Sequence, residues 1–232
     1  IHYTITETEQ ALTVRQFLQQ RGYSRHILTH LKNTGMGICA DGVPVYLNYV
    51  LHLGESLSVF LKEEASSENI TPVPLPLSVL YEDEDILIVD KPSDMPIHPS
   101  MNNHDNSLAN AVAYYYQSRN LPFVFRCSNR LDRDTSGLTI IAKNMLSASL
   151  LSDMAKNRLI RREYLAITEG IPDISGTIRA PIARKCGSAI ERTVDFKNGD
   201  AAVTYYEVLS SISLKINGTE KKYSLLRVCL ET

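Results

Sequence analysis

The sequence predicts an α+β protein, a mixed and mainly antiparallel sheet domain preceded by a small α/β module. Three observations carry this expectation. Strand-like apolar segments outnumber helical ones and do not alternate with them in βαβ order. Two short helical patterns and two strand-like pieces crowd together ahead of Lys62. An acidic and then proline-rich stretch separates that beginning from the rest.

In chain order, Thr13 can cap a helix running to Gln20, with Val14, Phe17 and Leu18 on one face. Ser24 can cap a second, in which Ile27, Leu28 and Leu31 recur at helical spacing before Gly35 and Gly37 end it. Strands are expected at 43–47, after the Asp41-Gly42 turn, and at 57–61. Together they form a module over residues 1–62, small but able to fold alone. Residues 63–78 read as a linker, because Pro72, Pro74 and Pro76 favour an extended path. In the remaining domain, 79–232, strands are expected at 86–89, 138–142, 164–168, 201–209 and 223–230. Ser107 and Asn144 are positioned to cap helices ending near Ser118 and Lys156.

Composition excludes several classes. No apolar run approaches the ~20 residues of a membrane helix, so no membrane partner is expected. The opening Ile1-His2-Tyr3-Thr4 has neither a basic nor an apolar stretch, so no signal peptide is expected. Cys39, Cys127, Cys186 and Cys229 form no Cys-x-x-Cys pair, which favours reduced thiols in a cytoplasmic protein. His98 and His104 lack metal-site spacing, so no metal is expected. Neither a Gly-x-Gly-x-x-Gly run nor a P-loop occurs, and no cofactor is expected.

The formal net charge of −2 hides an uneven distribution. Between Gln10 and Ala40 stand Arg15, Arg21, Arg25 and Lys32 with no carboxylate among them. A second cluster is Lys156-Arg158-Arg161-Arg162. Either alone reads as a solvated helix face; two of them flanking a candidate site point toward RNA.

That site is Asn129-Arg130-Leu131-Asp132-Arg133-Asp134-Thr135-Ser136-Gly137-Leu138. It sets a carboxylate between two arginines, in a polar turn ahead of an apolar strand. A nearby arginine favours the ionised form of Asp132 that a nucleophile or base requires. On spacing alone, an Asx-type turn with surface ion pairs accounts for the segment equally well. Asp132-x-Asp134 also matches the paired aspartates of aspartyl-phosphate phosphatases. Ser128-Asn129-Arg130 stands where those enzymes need an apolar strand.

The segment resembles the signature of the RluA-type pseudouridine synthases, in which a His-Arg-Leu-Asp-x-x-Thr-Ser-Gly run carries the essential aspartate. Arg130, Leu131, Asp132, Thr135, Ser136 and Gly137 fit, and Asn129 stands in place of His. The resemblance continues in order along the chain. Leu80 to Pro92 is similar to the family's opening strand and Asn-Lys-Pro turn, with Asp90 for Asn, and Met95-Pro96-Ile97-His98-Pro99 to the next loop. Arg162-Glu163-Tyr164-Leu165-Ala166 is similar to the motif that supplies the active-site tyrosine. Gly176 to Ile182 and Ala201 to Tyr205 match later strands, and the N-terminal module is similar to a small RNA-binding domain.

The resemblance implies a catalytic domain of the pseudouridine synthase type, isomerising uridines in structured RNA. Ribosomal RNA is favoured over transfer RNA as partner, and no obligate protein partner is implied. Asp132 would be the catalytic carboxylate and Tyr164 would stack on the uracil. Arg130 would fill the vacated base position, with Arg133 and Thr135 also on the substrate. Arg15, Arg21, Arg25 and Lys32 would hold phosphates. A non-catalytic RNA-binding protein of the same fold is the alternative, which an isomerisation assay separates. The family's Gly-Arg-Thr-His-Gln-Ile-Arg segment would begin just past Thr232. The catalytic domain is therefore expected to be cut short, leaving 223–230 as an unpaired sheet edge.

Overall fold

The computed structural model describes residues 1–61, 66–67, 69–101, 104–188 and 191–231. The chain divides into two compact units, Ile1–Asp153 and Met154–Thr232.

The first unit opens with β1 (His2–Thr4), α1 (Val14–Gln20), α2 (Arg25–Asn33), β2 (Ile38–Ala40), β3 (Val43–Pro44) and β4 (Ser56–Val59). The strands form an antiparallel sheet in the order β1-β4-β2-β3. Helix α1 starts where expected because Thr13 and Gln16 form a capping box. The Thr13 hydroxyl accepts from Gln16 N at 3.3 Å, and Gln16 Oε1 accepts from Thr13 N at 2.9 Å. Ser24 caps α2 through Ile27 N at 3.4 Å. Val14, Phe17, Leu18, Ile27, Leu28 and Leu31 are buried with Ile38, Leu57 and Val59. Each contributes roughly 1.5–3 kcal/mol relative to exposure. Strand β3 stops at Pro44, short of the expected Leu47, because the chain turns there, with Tyr49 N donating to Tyr46 O at 3.0 Å.

A second core follows within the same unit, built on β5 (Ser78–Glu82), β6 (Ile86–Lys91), α3 (Leu108–Gln117) and β7 (Gly137–Ala142). The sheet order is β5-β6-β7, again antiparallel. Ser107 and Asn110 cap α3 reciprocally, and the buried Asn110 amide donates to Thr71 O at 2.7 Å. Leu87, Val89 and Ile141 of the sheet meet Leu108, Val112 and Tyr116 of the helix. The Tyr116 ring stacks on Phe123 at 4.0 Å. Ile70, Leu75 and Leu77, from the expected linker, pack on this core, while its start at residue 63 lies outside the described residues. Helix α4 (Met145–Lys156) is capped by Asn144, whose Oδ1 accepts from Ser147 N at 2.9 Å. Met145 and Leu146 join the first core, and Ser149 Oγ donates to Gly22 O at 2.8 Å. Glycine is favoured at Gly22 by its φ of +84°, and a Cβ there would also fall 2.4 Å from Leu150 Cδ2, so that side chain would have to shift.

The second unit contains β8 (Arg162–Glu169), β9 (Ser175–Arg179), β10 (Ile182–Arg184), β11 (Arg192–Val194), β12 (Val203–Ile216) and β13 (Thr219–Leu230). One sheet runs β8-β13-β12-β9, and β10 pairs with β11. The expected unpaired edge at 223–230 is corrected here. Strand β13 is interior, pairing with β12 on one side and with β8 on the other, from Tyr223↔Glu169 to Leu230↔Arg162. Its second row of backbone groups is therefore occupied, and the outer strands are β8 and β9. Strand β12 also runs past the expected Leu209 to Ile216. Asn217 (φ +50°) and Gly218 (φ +83°) then close a two-residue hairpin of the type I′ form.

Candidate active site

The signature turn hangs from the outer edge of β7. Ser128 N donates to Ile140 O at 2.8 Å and Ala142 N to Arg126 O at 2.8 Å, so 126–128 run beside the strand. Asn129 then continues the ladder with its side chain. Its Nδ2 donates to Leu138 O at 2.9 Å and its Oδ1 accepts from Ile140 N at 2.8 Å. Leu131 is buried and pins the next step, while Arg130 and Asp132 are exposed. Thr135 N donates to Asp132 O at 3.2 Å, closing the turn before Gly137 (φ +124°) enters β7.

The turn is clamped from beneath by Lys91, at the end of β6. Lys91 is 0% exposed, and its ammonium donates to Pro92 O and Met95 O at 2.8 Å and to Arg133 O at 3.0 Å. Met95 N donates back to Arg133 O at 3.1 Å. Burial pushes the Lys91 ammonium below its ordinary value, and the charges of Asp134 and then Asp132 partly offset this. Lys91 is thus a buried cation whose charge is felt by both Asp134 and Asp132. Arg133 turns outward instead: its Nε donates to Asp94 Oδ1 at 2.7 Å, and the pair raises the guanidinium. Asp94 itself sits at φ +60°. A shallow cavity of about 440 Å³ opens beside Lys91, between Pro76, Leu77, Asp90 and Ser136. Arg130 lies close enough to His98 that, after burial, its charge lowers the imidazole further.

Lys91 has no role in the sequence reading beyond its place in Asp90-Lys91-Pro92. A lysine at the end of an otherwise apolar strand was the available signal, because an ammonium there must find carbonyl acceptors or stay out of the core.

Tyr164 belongs to the second unit, on β8, opposite Val228 of β13. It is half-buried, and its neighbour Glu163 lies 3.7 Å from Arg227, which also reaches Glu207 at 3.2 Å. Of the later basic cluster, Arg158 lies 3.5 Å from Glu231.

In the N-terminal part, Arg15, Arg25 and Lys32 are exposed, and Arg15 and Lys32 line a common cavity. Arg21 stands apart. Its guanidinium pairs with Glu9 and lies 3.6 Å over the Phe17 ring. The Glu9 carboxyl is held down at about 2 by the Thr6 backbone N–H, then the Thr6 hydroxyl, then Arg21. Among the described residues no cluster of His, Cys, Asp or Glu could hold a metal ion. Among the described residues no helix is long and apolar enough to cross a membrane.

The chain is similar to known proteins. A family model described as RNA pseudouridylate synthase matches residues 85–232. The chain is 36% identical over 212 residues to the uncharacterized RNA pseudouridine synthase YjbO of Bacillus subtilis (strain 168), covering 88% of this chain and 75% of that one. It is 34% identical over 179 residues to ribosomal large subunit pseudouridine synthase D of Escherichia coli (strain K12). That match takes in 76% of this chain and 51% of the relative, so the chain spans about half of synthase D. Among solved structures, human RNA pseudouridylate synthase domain containing 1 superposes with a TM-score of 0.52 at 26% identity, over 66% of this chain and 59% of that one. The matched region takes in both the clamped turn that carries Asp132 and the strand that carries Tyr164, and on that evidence the chain belongs to the RNA pseudouridylate synthase family.

Proposed function

We propose that this protein isomerises uridine to pseudouridine in structured RNA, with ribosomal RNA as the substrate class and Asp132 as the catalytic carboxylate. The supporting observation is the turn itself: an exposed Asp132 on a backbone pinned by Lys91 below and by Asn129 along β7. The reaction breaks the glycosidic bond, turns the uracil and rejoins it through carbon. It is redox-neutral, and the carboxylate initiates it as nucleophile or as base. The target base must leave its stack to reach Asp132. Arg130, exposed two residues away, fills the vacated space with its planar guanidinium. Tyr164 stacks on the uracil, and Arg133 and Thr135 hold the neighbouring backbone. Arg15, Arg25 and Lys32 take phosphates, with Arg21 able to join them on release from Glu9. Synthase D, named for the ribosomal large subunit, supports ribosomal RNA over transfer RNA.

The test is pseudouridine counting on ribosomal and transfer RNA transcripts, with the wild-type protein and Asp132→Asn. Asp132→Asn should fall to background on ribosomal RNA with an unchanged melting temperature. Turnover by the variant would remove Asp132 from the catalytic role, and wild-type turnover on transfer RNA alone would overturn the substrate class.

A further inference from the structure

Tyr46 is exposed for no reason that the packing of the first unit supplies. Its side chain is 78% accessible, yet the backbone around it is fixed on both sides. Val45 N donates to Ile38 O at 3.0 Å, Tyr49 N to Tyr46 O at 3.0 Å and Arg15 N to Leu47 O at 2.9 Å, while Leu47 is buried. The ring is thus presented by a set loop. Two depressions share Tyr46, Lys32 and Leu47 as walls. One, of about 290 Å³, adds Arg15 and Asn48; the other, of about 230 Å³, adds the backbone around Gly35. The first approaches the ~300 Å³ at which small-ligand sites begin, and the second adjoins it through the shared walls.

The chemistry of the walls is one-sided. Two cations, one amide side chain and one aromatic ring converge, and among the described residues no carboxylate lines either depression. Three nearby carboxylates are engaged elsewhere: Glu9 pairs with Arg21, Asp41 accepts from Ser56 N at 2.9 Å, and Glu55 accepts from the Tyr49 hydroxyl at 2.7 Å and from His52 N at 3.0 Å. A polyanion is favoured over an ordinary protein loop. A free ring face further selects a ligand whose own rings are free, which bases in a duplex are not.

We propose that this paired depression is a binding site for an unpaired stretch of the RNA, with a base stacked on Tyr46 and the flanking phosphates held by Arg15 and Lys32. Asn48 is placed to hydrogen-bond a base edge. The inference rests on the RNA reading above and adds a single-strand contact remote in sequence from Asp132.

The chain contains no tryptophan, so Tyr46→Trp puts the sole indole at the site. The experiment titrates the whole chain with a single-stranded RNA of about ten nucleotides and with a duplex of the same length. The single strand should quench the indole saturably, and the duplex should not. Tyr46→Ala should bind the single strand about 5- to 150-fold more weakly at an unchanged salt slope. Tyr46→Phe should bind like wild type, because the ring is kept. Arg15→Ala and Lys32→Ala should each lower the log–log salt slope by about 0.7. An unquenched indole while the strand binds, equal quenching by the duplex, or wild-type affinity in Tyr46→Ala would overturn the proposal. Quenching without uridine isomerisation would leave this site standing and remove the enzymatic reading; isomerisation without quenching would do the reverse.

Discussion

The ammonium of Lys91 lies 3.0 Å from the carbonyl oxygen of Arg133, one residue beyond the proposed catalytic carboxylate. Its other donors go to Pro92 O and Met95 O, so all three are spent on backbone. Lys91→Met should therefore cost roughly 2–4 kcal/mol, because buried carbonyls lose charged partners. Urea denaturation would report the loss, and isomerisation should fall further than stability alone explains. A variant as stable and active as wild type would show that the clamp is dispensable.

Arg133 is paired with Asp94, so the RNA contact proposed for it has to compete with that carboxylate. The pair is exposed on both sides and screened by solvent, so breaking it should leave stability almost unchanged. Asp94→Asn should release the guanidinium for a phosphate. RNA affinity is expected to rise, with the log–log salt slope steeper by roughly 0.7–0.9. An unaltered slope would place Arg133 outside the RNA contact.

Asn129 imitates a strand residue with its side chain, holding Leu138 O and Ile140 N together. Asn129→Ala removes both bonds and should destabilise by about 1–2 kcal/mol. Hydrogen exchange at Ile140 should accelerate more than exchange at Leu87, which lies inside the sheet. Equal protection at Ile140 in variant and wild type would rule out the bridge.

Glu9 gives a pH signature. Its carboxyl sits at about 2 against an ordinary 4.5, so the folded state holds the ionised form more strongly than the unfolded chain does. The stabilisation is fully present above 4.5 and is lost as pH falls toward 2. The difference in melting temperature between wild type and Glu9→Gln should be largest near neutrality and close through that window. A difference independent of pH would contradict the assignment.

Local chemistry was legible in the residues, and distant pairing was not. Thr13, Ser24, Ser107 and Asn144 each cap the helix their position announces, because a cap is a contact three residues long. Asn217-Gly218, flanked by the alternating Ile212, Leu214 and Ile216, was an equally local hairpin signal, and the strand reading that stops at Leu209 passes over it. The interior position of β13 depends on β8, whose Glu163 lies 66 residues from Cys229. No window of sequence contains both. Within the site, the run from Arg130 to Gly137 was readable, but the clamp depends on the 92–95 loop folding back over Lys91. Arg21 shows the same limit at short range: the carboxylate-free stretch begins at Gln10, one residue after the Glu9 that takes its charge.

The order β8-β13-β12-β9 also sets a timetable for a chain made from its N-terminus. Strand β8 leaves the ribosome well before the partner that will cover its backbone, and 66 residues of synthesis separate Glu163 from Cys229. At ~5–20 residues per second, that is a wait of roughly 3–13 s. Throughout it, Leu165 and Ile167 stand on a strand with no ladder to join. Once made, β12 and β13 can close on their own tight turn within microseconds. The slow interval therefore belongs to translation rather than to folding.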